Sequence, residues 1–220
     1  MDLARAVLFD FGNTLFAHAP LPATIHVEAT RLGASVDLQW AVDLALRIDE
    51  SSQAEEELAH PRDLDADVWH GRWHVMYGVA DEEVPGLGAA IYRAMHDPAA
   101  WIAYRSTAHV LQTLARAGVQ IAIVSNTGWD VRTVLQHHGL ADLVTAWVLS
   151  CEVGVVKPSA EIFEHACAAV GVDAVDALMV GDDATADAGA VRAGLRTLLL
   201  PAAPPGVENG LHVVASLAAR

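Results

Sequence analysis

The sequence predicts an α/β fold: a Rossmann-like three-layer domain on a central parallel sheet, with a small all-helical domain inserted after the first strand. Three observations predict it. Short apolar runs at Ala6–Phe9, Val119–Val124 and Ala177–Val180 each end abruptly in polar or turn residues, as strands buried on both faces do. Helical spacing separates the later runs, which makes them βαβ units with right-handed crossovers. Between the first run and the rest, from roughly Pro22 to Ala103, helical spacing holds without a strong strand signal. The expected boundaries are residues 1–16 and 105–220 for the α/β core and 17–104 for the helical domain.

The first run, Ala6-Val7-Leu8-Phe9, leads straight into Asp10, and Gly12-Asn13 then forces a turn. Asp10 is therefore expected at the carboxyl end of a strand, where open α/β sheets gather their ligands. An Asp that merely caps a turn would look the same in isolation. In the following segment Leu38, Ala41, Val42, Ala45 and Leu46 keep helical spacing, and Pro61, Gly78 and Pro85-Gly86-Leu87-Gly88 divide it into several helices. Its many acids, including Asp49, Glu50, Glu55, Glu56 and Glu57, read as solvated faces and loops.

From Thr107 the α/β rhythm returns. A helix through Val110, Leu111 and Leu114 ends at Gly118, and the strand Val119–Val124 stops at Ser125-Asn126-Thr127-Gly128. A helix through Val131, Val134 and Leu135 ends near Gly139, followed by a strand near Val144–Leu149. Pro158-Ser159 opens a helix with Ile162, Phe163, Ala166 and Val170 on one face, closed by Gly171. The strand Ala177–Val180 ends at Gly181-Asp182-Asp183; a short helix through Ala190 and Val191 ends at Gly194, and Arg196–Leu200 forms another strand. After the loop Pro201–Gly210, Leu211–Val214 reads as a last strand and Ser216–Ala219 as a last helical turn.

At 220 residues, 53% hydrophobic and 19% charged, the chain has the balance of a globular domain with room for one substantial core and a smaller one. A formal charge of -15 excludes nucleic acid and anionic membrane surfaces as partners, and an anionic substrate then needs a metal ion or a placed cation. Cys151 and Cys167 lack metal-ligand spacing and read as small buried residues in a reducing compartment. Met1-Asp2-Leu3-Ala4-Arg5 runs directly into the first strand without a signal peptide, so a cytoplasmic location is expected.

Three apolar strands thus end in residues suited to phosphate or metal chemistry: Asp10, Ser125-Asn126 and Gly181-Asp182-Asp183. Before a helix lies Lys157, the only lysine in a chain that otherwise uses arginine, which points to a need for a compact point charge. Closely packed carboxylates repel one another unless a hard cation lies among them.

These residues carry a resemblance to the haloacid dehalogenase-like hydrolase superfamily across essentially the whole chain. Asp10-Phe11-Gly12-Asn13-Thr14-Leu15 resembles its first motif, Ser125-Asn126 its second, Lys157-Pro158 its third, and Gly181-Asp182 with Asp187 its fourth. The helical insertion resembles the cap of many members. The resemblance implies a phosphatase-type member in which Asp10 attacks phosphorus and forms an aspartyl-phosphate that water hydrolyses. It implies Mg2+ held by Asp10, the Gly12 carbonyl and Asp182, with Asp187 in or near the cluster. Ser125, Asn126 and Lys157 would hold the phosphoryl oxygens of a small phosphorylated metabolite, and Lys157 also serves catalysis.

The resemblance breaks at Gly12, where the family's phosphatases usually carry an acid/base Asp. Such proton transfer typically contributes about a hundredfold to ten-thousandfold. Four accounts stay open: a substrate with a good leaving group, a stand-in histidine such as His18, a modest phosphatase, or no phosphatase at all. The alternatives are therefore a metal-free 2-haloacid dehalogenase and a non-catalytic protein that binds a ligand or a partner. Gly12 weighs against sugar phosphate mutases, and the absence of lysine from the cap excludes the phosphonate-cleaving branch. His70 and His74 have zinc-compatible spacing without a third ligand in view. Trp40, Trp69, Trp73 and Trp101 read as core of the cap, while Trp129-Asp130 either faces the site or starts a helix.

Overall fold

The structure, a computed structural model, describes residues 3–218. The expected helical end at Ala219 lies outside the described residues. In chain order the elements are β1 (Ala6–Phe9), β2 (Phe16–His18), α1 (Leu21–Arg31), α2 (Leu38–Gln53), α3 (Glu55–Leu58), α4 (Ala66–Gly78) and α5 (Leu87–Met95). Then follow β3 (Trp101–Ala103), α6 (Thr107–Arg116), β4 (Gln120–Ser125), α7 (Arg132–His137), β5 (Ala146–Leu149), α8 (Ser150–Val153) and α9 (Ala160–Val170). The chain closes with β6 (Ala177–Gly181), a 3-10 helix (Asp187–Ala193), β7 (Arg196–Leu199) and α10 (Val213–Ala218).

Five parallel strands form one sheet in the order β5-β4-β1-β6-β7, with Val7 level with Ile121 on one side and Leu178 on the other. The strand period of two divides β1 between two cores. Val7 and Phe9 pack with Val110, Leu111 and Leu114 of α6, whereas Ala6 and Leu8 pack with Ile162, Phe163 and Ala166 of α9. Helices on both faces account for a run that is apolar throughout instead of alternating. The strand order reverses at β1, so the carboxyl ends of β1, β4 and β6 lie side by side where a doubly wound sheet opens its crevice.

The helices α1, α2, α4 and α5 share a separate core that includes Ile25, Leu44, Ile48, Tyr77, Leu87 and Ile91. One of its acids is not solvated as expected. Glu57 is buried and accepts a hydrogen bond from Arg72 Nε at 2.9 Å, with Arg62 at 3.5 Å, and the Arg72 bond holds its carboxyl below the usual range. A buried carboxylate persists only when paired, and two arginines of the same segment meet that need. Cys151 likewise is only half-buried, whereas Cys167 is buried.

Two local expectations are corrected. The segment from Pro22 to Ala103 ends in a strand, because Trp101–Ala103 pairs antiparallel with Phe16–His18, Ala17 facing Ile102. Three residues are too few to display a period, so the ribbon leaves no trace in the sequence pattern. The last strand expected at Leu211–Val214 is absent. Leu211, Val214 and Ala218 enter the core at helical intervals, and a turn at residues 211–212 leads into α10 at Val213. Among the described residues no helix is long and apolar enough to cross a membrane.

Candidate active site

Each strand end delivers one group. Asp10 still donates its backbone N–H to Val180 O at 2.9 Å, so the sheet fixes where its carboxylate emerges. Asn13, just beyond, takes a left-handed φ of 54° that turns the chain back toward β2. Ser125 is the final residue of β4, and Asp182 follows the final residue of β6. Thr14 Oγ1 donates to Asp182 Oδ1 at 3.1 Å.

Lys157 arrives from the loop before α9, where its peptide bond to Pro158 is cis. Asn126 holds it by the backbone: Oδ1 accepts from Lys157 N at 2.8 Å and Nδ2 donates to Lys157 O at 2.9 Å. The ammonium donates to Asp10 Oδ1 at 2.5 Å and to Asp187 Oδ1 at 2.7 Å. Asp187 Oδ2 accepts the backbone N–H groups of Asp182 and Asp183, both at 3.0 Å. Both oxygens of Asp187 are therefore engaged. Asp183 is exposed and its Oδ1 accepts from Thr185 N and Ala186 N.

Asp10, Asp182 and Asp187 each present an oxygen, all within 4.8 Å of one another. Three carboxylates thus face one ammonium in a nearly dry site, with Lys157 5% and Asp187 1% exposed. Burial pushes Asp10 up to about 6 against the pull of Lys157, and Asp187 pushes the same way. Burial raises Asp182 too, against the Thr14 bond. Lys157 is also raised: burial pulls it down, but the two carboxylates outweigh that and keep it protonated. Burial first, and like charge second, raise the two acids, whereas opposite charge raises the base, so acids and base move in one direction.

Gly181 makes the arrangement possible. A Cβ there would stand 2.1 Å from Asp187 Oδ2 and 2.6 Å from Asp187 Cβ, so the carboxylate tucks beneath the strand end only because that position is bare. Gly181→Ala is expected to expel Asp187 from its bond to Lys157. Turnover should fall by about a hundredfold, the scale on which an ångström of misplacement is felt. Steady-state kinetics of the folded variant check this, and unchanged kcat would remove Asp187 from the account.

Above these groups lies a cavity of about 390 Å³. Its walls correct the expected core role of two tryptophans. Trp69 and Trp101 line the cavity, Trp101 against the core of the sheet domain, whereas Trp40 and Trp73 pack against the helical core as expected, Trp73 also reaching the cavity wall. Of the two readings of Trp129, the structure supports the one in which it faces the site. Trp69 rests against Gly128, where a Cβ would stand 2.1 Å from Trp69 Cβ, so the loop after β4 accepts α4 at contact distance.

His18 does not line the cavity; its ring stands between the carbonyls of Ala19 (Nδ1, 2.8 Å) and Ala94 (Nε2, 3.1 Å). The histidine in the cavity is His96, which no motif marks. Its Nδ1 donates to Tyr92 O at 2.8 Å, leaving Nε2 to accept the Trp69 indole N–H at 3.3 Å, and burial pushes its pKa down. His70 and His74 instead gather around Tyr92, the His74 ring 3.9 Å from it. Among the described residues, only Asp10, Asp182 and Asp187 form a group able to share a cation.

The haloacid dehalogenase-like hydrolase family matches residues 4–194. Ribulose-1,5-bisphosphate 5-phosphatase of Halopiger xanaduensis is 32% identical over 213 residues, covering 90% of this chain and 84% of that protein. Among solved structures, a HAD phosphatase from Thermococcus onnurineus aligns over 96% of both chains with a TM-score of 0.64 and 21% identity. L-2-haloacid dehalogenase from Xanthobacter autotrophicus aligns over 98% of both with a TM-score of 0.66 and 17% identity. At these identities the two structures establish a shared fold.

Proposed function

The chain belongs to the haloacid dehalogenase-like hydrolase family, and from that premise we propose that it is a magnesium-dependent phosphatase of a small phosphorylated metabolite, acting through an aspartyl-phosphate on Asp10. The observation that carries the reading is the meeting of three carboxylates and one ammonium at adjacent strand ends. Relatives with phosphatase names, such as the Halopiger protein, support it.

The donor set fits magnesium, which prefers oxygen ligands and neutralises crowded carboxylates. Asp10, Asp182 and the Gly12 carbonyl would hold it, while Asp187, engaged on both oxygens, braces Lys157 and the turn at Asp182. Magnesium, when bound, offsets the charge on the phosphoryl oxygens. Asp10 supplies the nucleophilic oxygen. Lys157 supplies a point charge for an equatorial oxygen, with Ser125 and Asn126 beside it. Asn126 contributes a second effect, since its side chain fixes the Lys157 backbone. The helical segment acts as a cap that keeps water from Asp10 during the first step.

Phosphate release from acetyl phosphate, whose leaving group needs no proton, tests the reading. Release is expected with magnesium, to fall by about a hundredfold or more in EDTA, and to return when magnesium is restored. Halide release from 2-haloacids that persists in EDTA would overturn it in favour of carbon–halogen hydrolysis. Phosphate binding without turnover would overturn it in favour of a non-catalytic role.

A further inference from the structure

The walls of the cavity restrict what can be attached to the phosphoryl group. Trp69, Trp73 and Tyr77 come from α4, with ring centroids 5.6 and 5.3 Å apart in succession. Phe11, Trp101 and Trp129 come from the core and the ribbon, 4.8 and 5.8 Å apart in succession. His96 joins the two banks, bonded to Trp69 and 5.2 Å from Trp129. Among the described residues lining the cavity, Lys157 is the only lysine or arginine, and it is already paired with two carboxylates. A second phosphate or a carboxylate on the substrate would be desolvated against aromatic faces with no cation to receive it. An uncharged flat ring gains offset or edge contacts on both banks.

The supply of protons narrows the choice further. Gly12 has no side chain to offer one. His96 has both ring nitrogens engaged, with Nε2 as an acceptor. Burial raises the Tyr77 hydroxyl, which therefore keeps its proton. Thr127 Oγ1 donates to Trp129 O at 3.3 Å. A departing alkoxide would leave unprotonated, which is slow, whereas a phenolate is stable enough to leave as the anion.

We propose that the site takes aryl phosphates, phosphomonoesters whose bridging oxygen is carried by an uncharged aromatic ring seated between the two aromatic banks. The proposal rests on the phosphatase reading and names its substrate class. In the first step an Asp10 carboxylate oxygen bonds to phosphorus while the bond to the aryl oxygen breaks. That oxygen keeps the electron pair, leaves as phenolate, and takes its proton from water outside the site. In the second step water adds to phosphorus, the Asp10 oxygen leaves with its electron pair, and the water protons depart on dihydrogen phosphate. No separate acid is needed in either step.

The test compares kcat/KM for phenyl phosphate, benzyl phosphate, a sugar bisphosphate and acetyl phosphate, with magnesium present. Phenyl and benzyl phosphate share a ring but differ in leaving group. Phenyl phosphate is expected to exceed benzyl phosphate by about a hundredfold or more, the scale of an absent general acid. It should exceed the bisphosphate by a similar margin. Trp129→Leu should lower the ratio of phenyl to acetyl phosphate kcat/KM by about fivefold, the loss of one aromatic contact. Turnover of acetyl phosphate by this variant reports that it is folded. If acetyl phosphate is hydrolysed but benzyl phosphate or the bisphosphate matches phenyl phosphate, the aryl assignment falls and the phosphatase reading stands. If the ratio is unmoved in Trp129→Leu, ring recognition falls. If no substrate is hydrolysed, acetyl phosphate included, both readings fall.

Discussion

Asp10→Asn is expected to lower turnover of every substrate by about ten-thousandfold or more, the range in which removal of a nucleophile is felt. The amide keeps the shape of the side chain and can still accept a bond from Lys157, but its neutral oxygen is a poor nucleophile. The fold should not suffer. Burial and the neighbouring Asp187 already press the Asp10 carboxyl toward its neutral form, so a neutral group relieves repulsion within the cluster. The expected result is a melting temperature equal to or above that of the wild type with activity at background. Activity above about one hundredth of wild type, far beyond the residue left when a nucleophile is lost, would mean that another group attacks.

Lys157→Met should damage both activity and stability, which separates it from the first variant. Lys157 is 5% exposed and its ammonium bonds to Asp10 and Asp187, so its removal leaves two buried carboxylates facing each other. Breaking a buried pair from one side costs about 3–5 kcal/mol. Chemical denaturation should show a loss of that size. Magnesium should recover part of it, because a cation among the carboxylates replaces some of the missing charge, while turnover stays low without the point charge for the phosphoryl oxygen. Lys157→Arg is not a conservative rescue, since the planar fork does not fit a position where one nitrogen meets two oxygens at 2.5 and 2.7 Å. Unchanged stability in Lys157→Met would show that the pair is not the brace described.

The parallel sheet was legible because its three central strands are buried on both faces, so their residues had to be apolar and their ends abrupt. Asp10, Ser125 and Asp182 could be placed on strand ends for that reason, and Lys157 stood out by being alone. The walls of the cavity were not legible. Trp69 keeps the same helical spacing whether it faces a core or a pocket, and only its packing against Gly128 decides between them. His96 carries no pattern at all, since its place depends on Trp69 and Tyr92 meeting it in three dimensions. The burial of Glu57 was hidden in a run of acids because its partners, Arg62 and Arg72, lie outside that run. The strand read at Leu211–Val214 failed because four apolar-rich residues fit either period until Ala218 is counted.

Both covalent links between the helical segment and the sheet domain pass through β2 and β3, which are hydrogen-bonded to each other. Any rotation of the segment against the sheet domain would therefore turn about that ribbon. Such a rotation would lift Trp69 from Gly128 and carry the bank on α4 away from Phe11 and Trp129. Seating a ring between the banks and sealing the chamber would then be a single event.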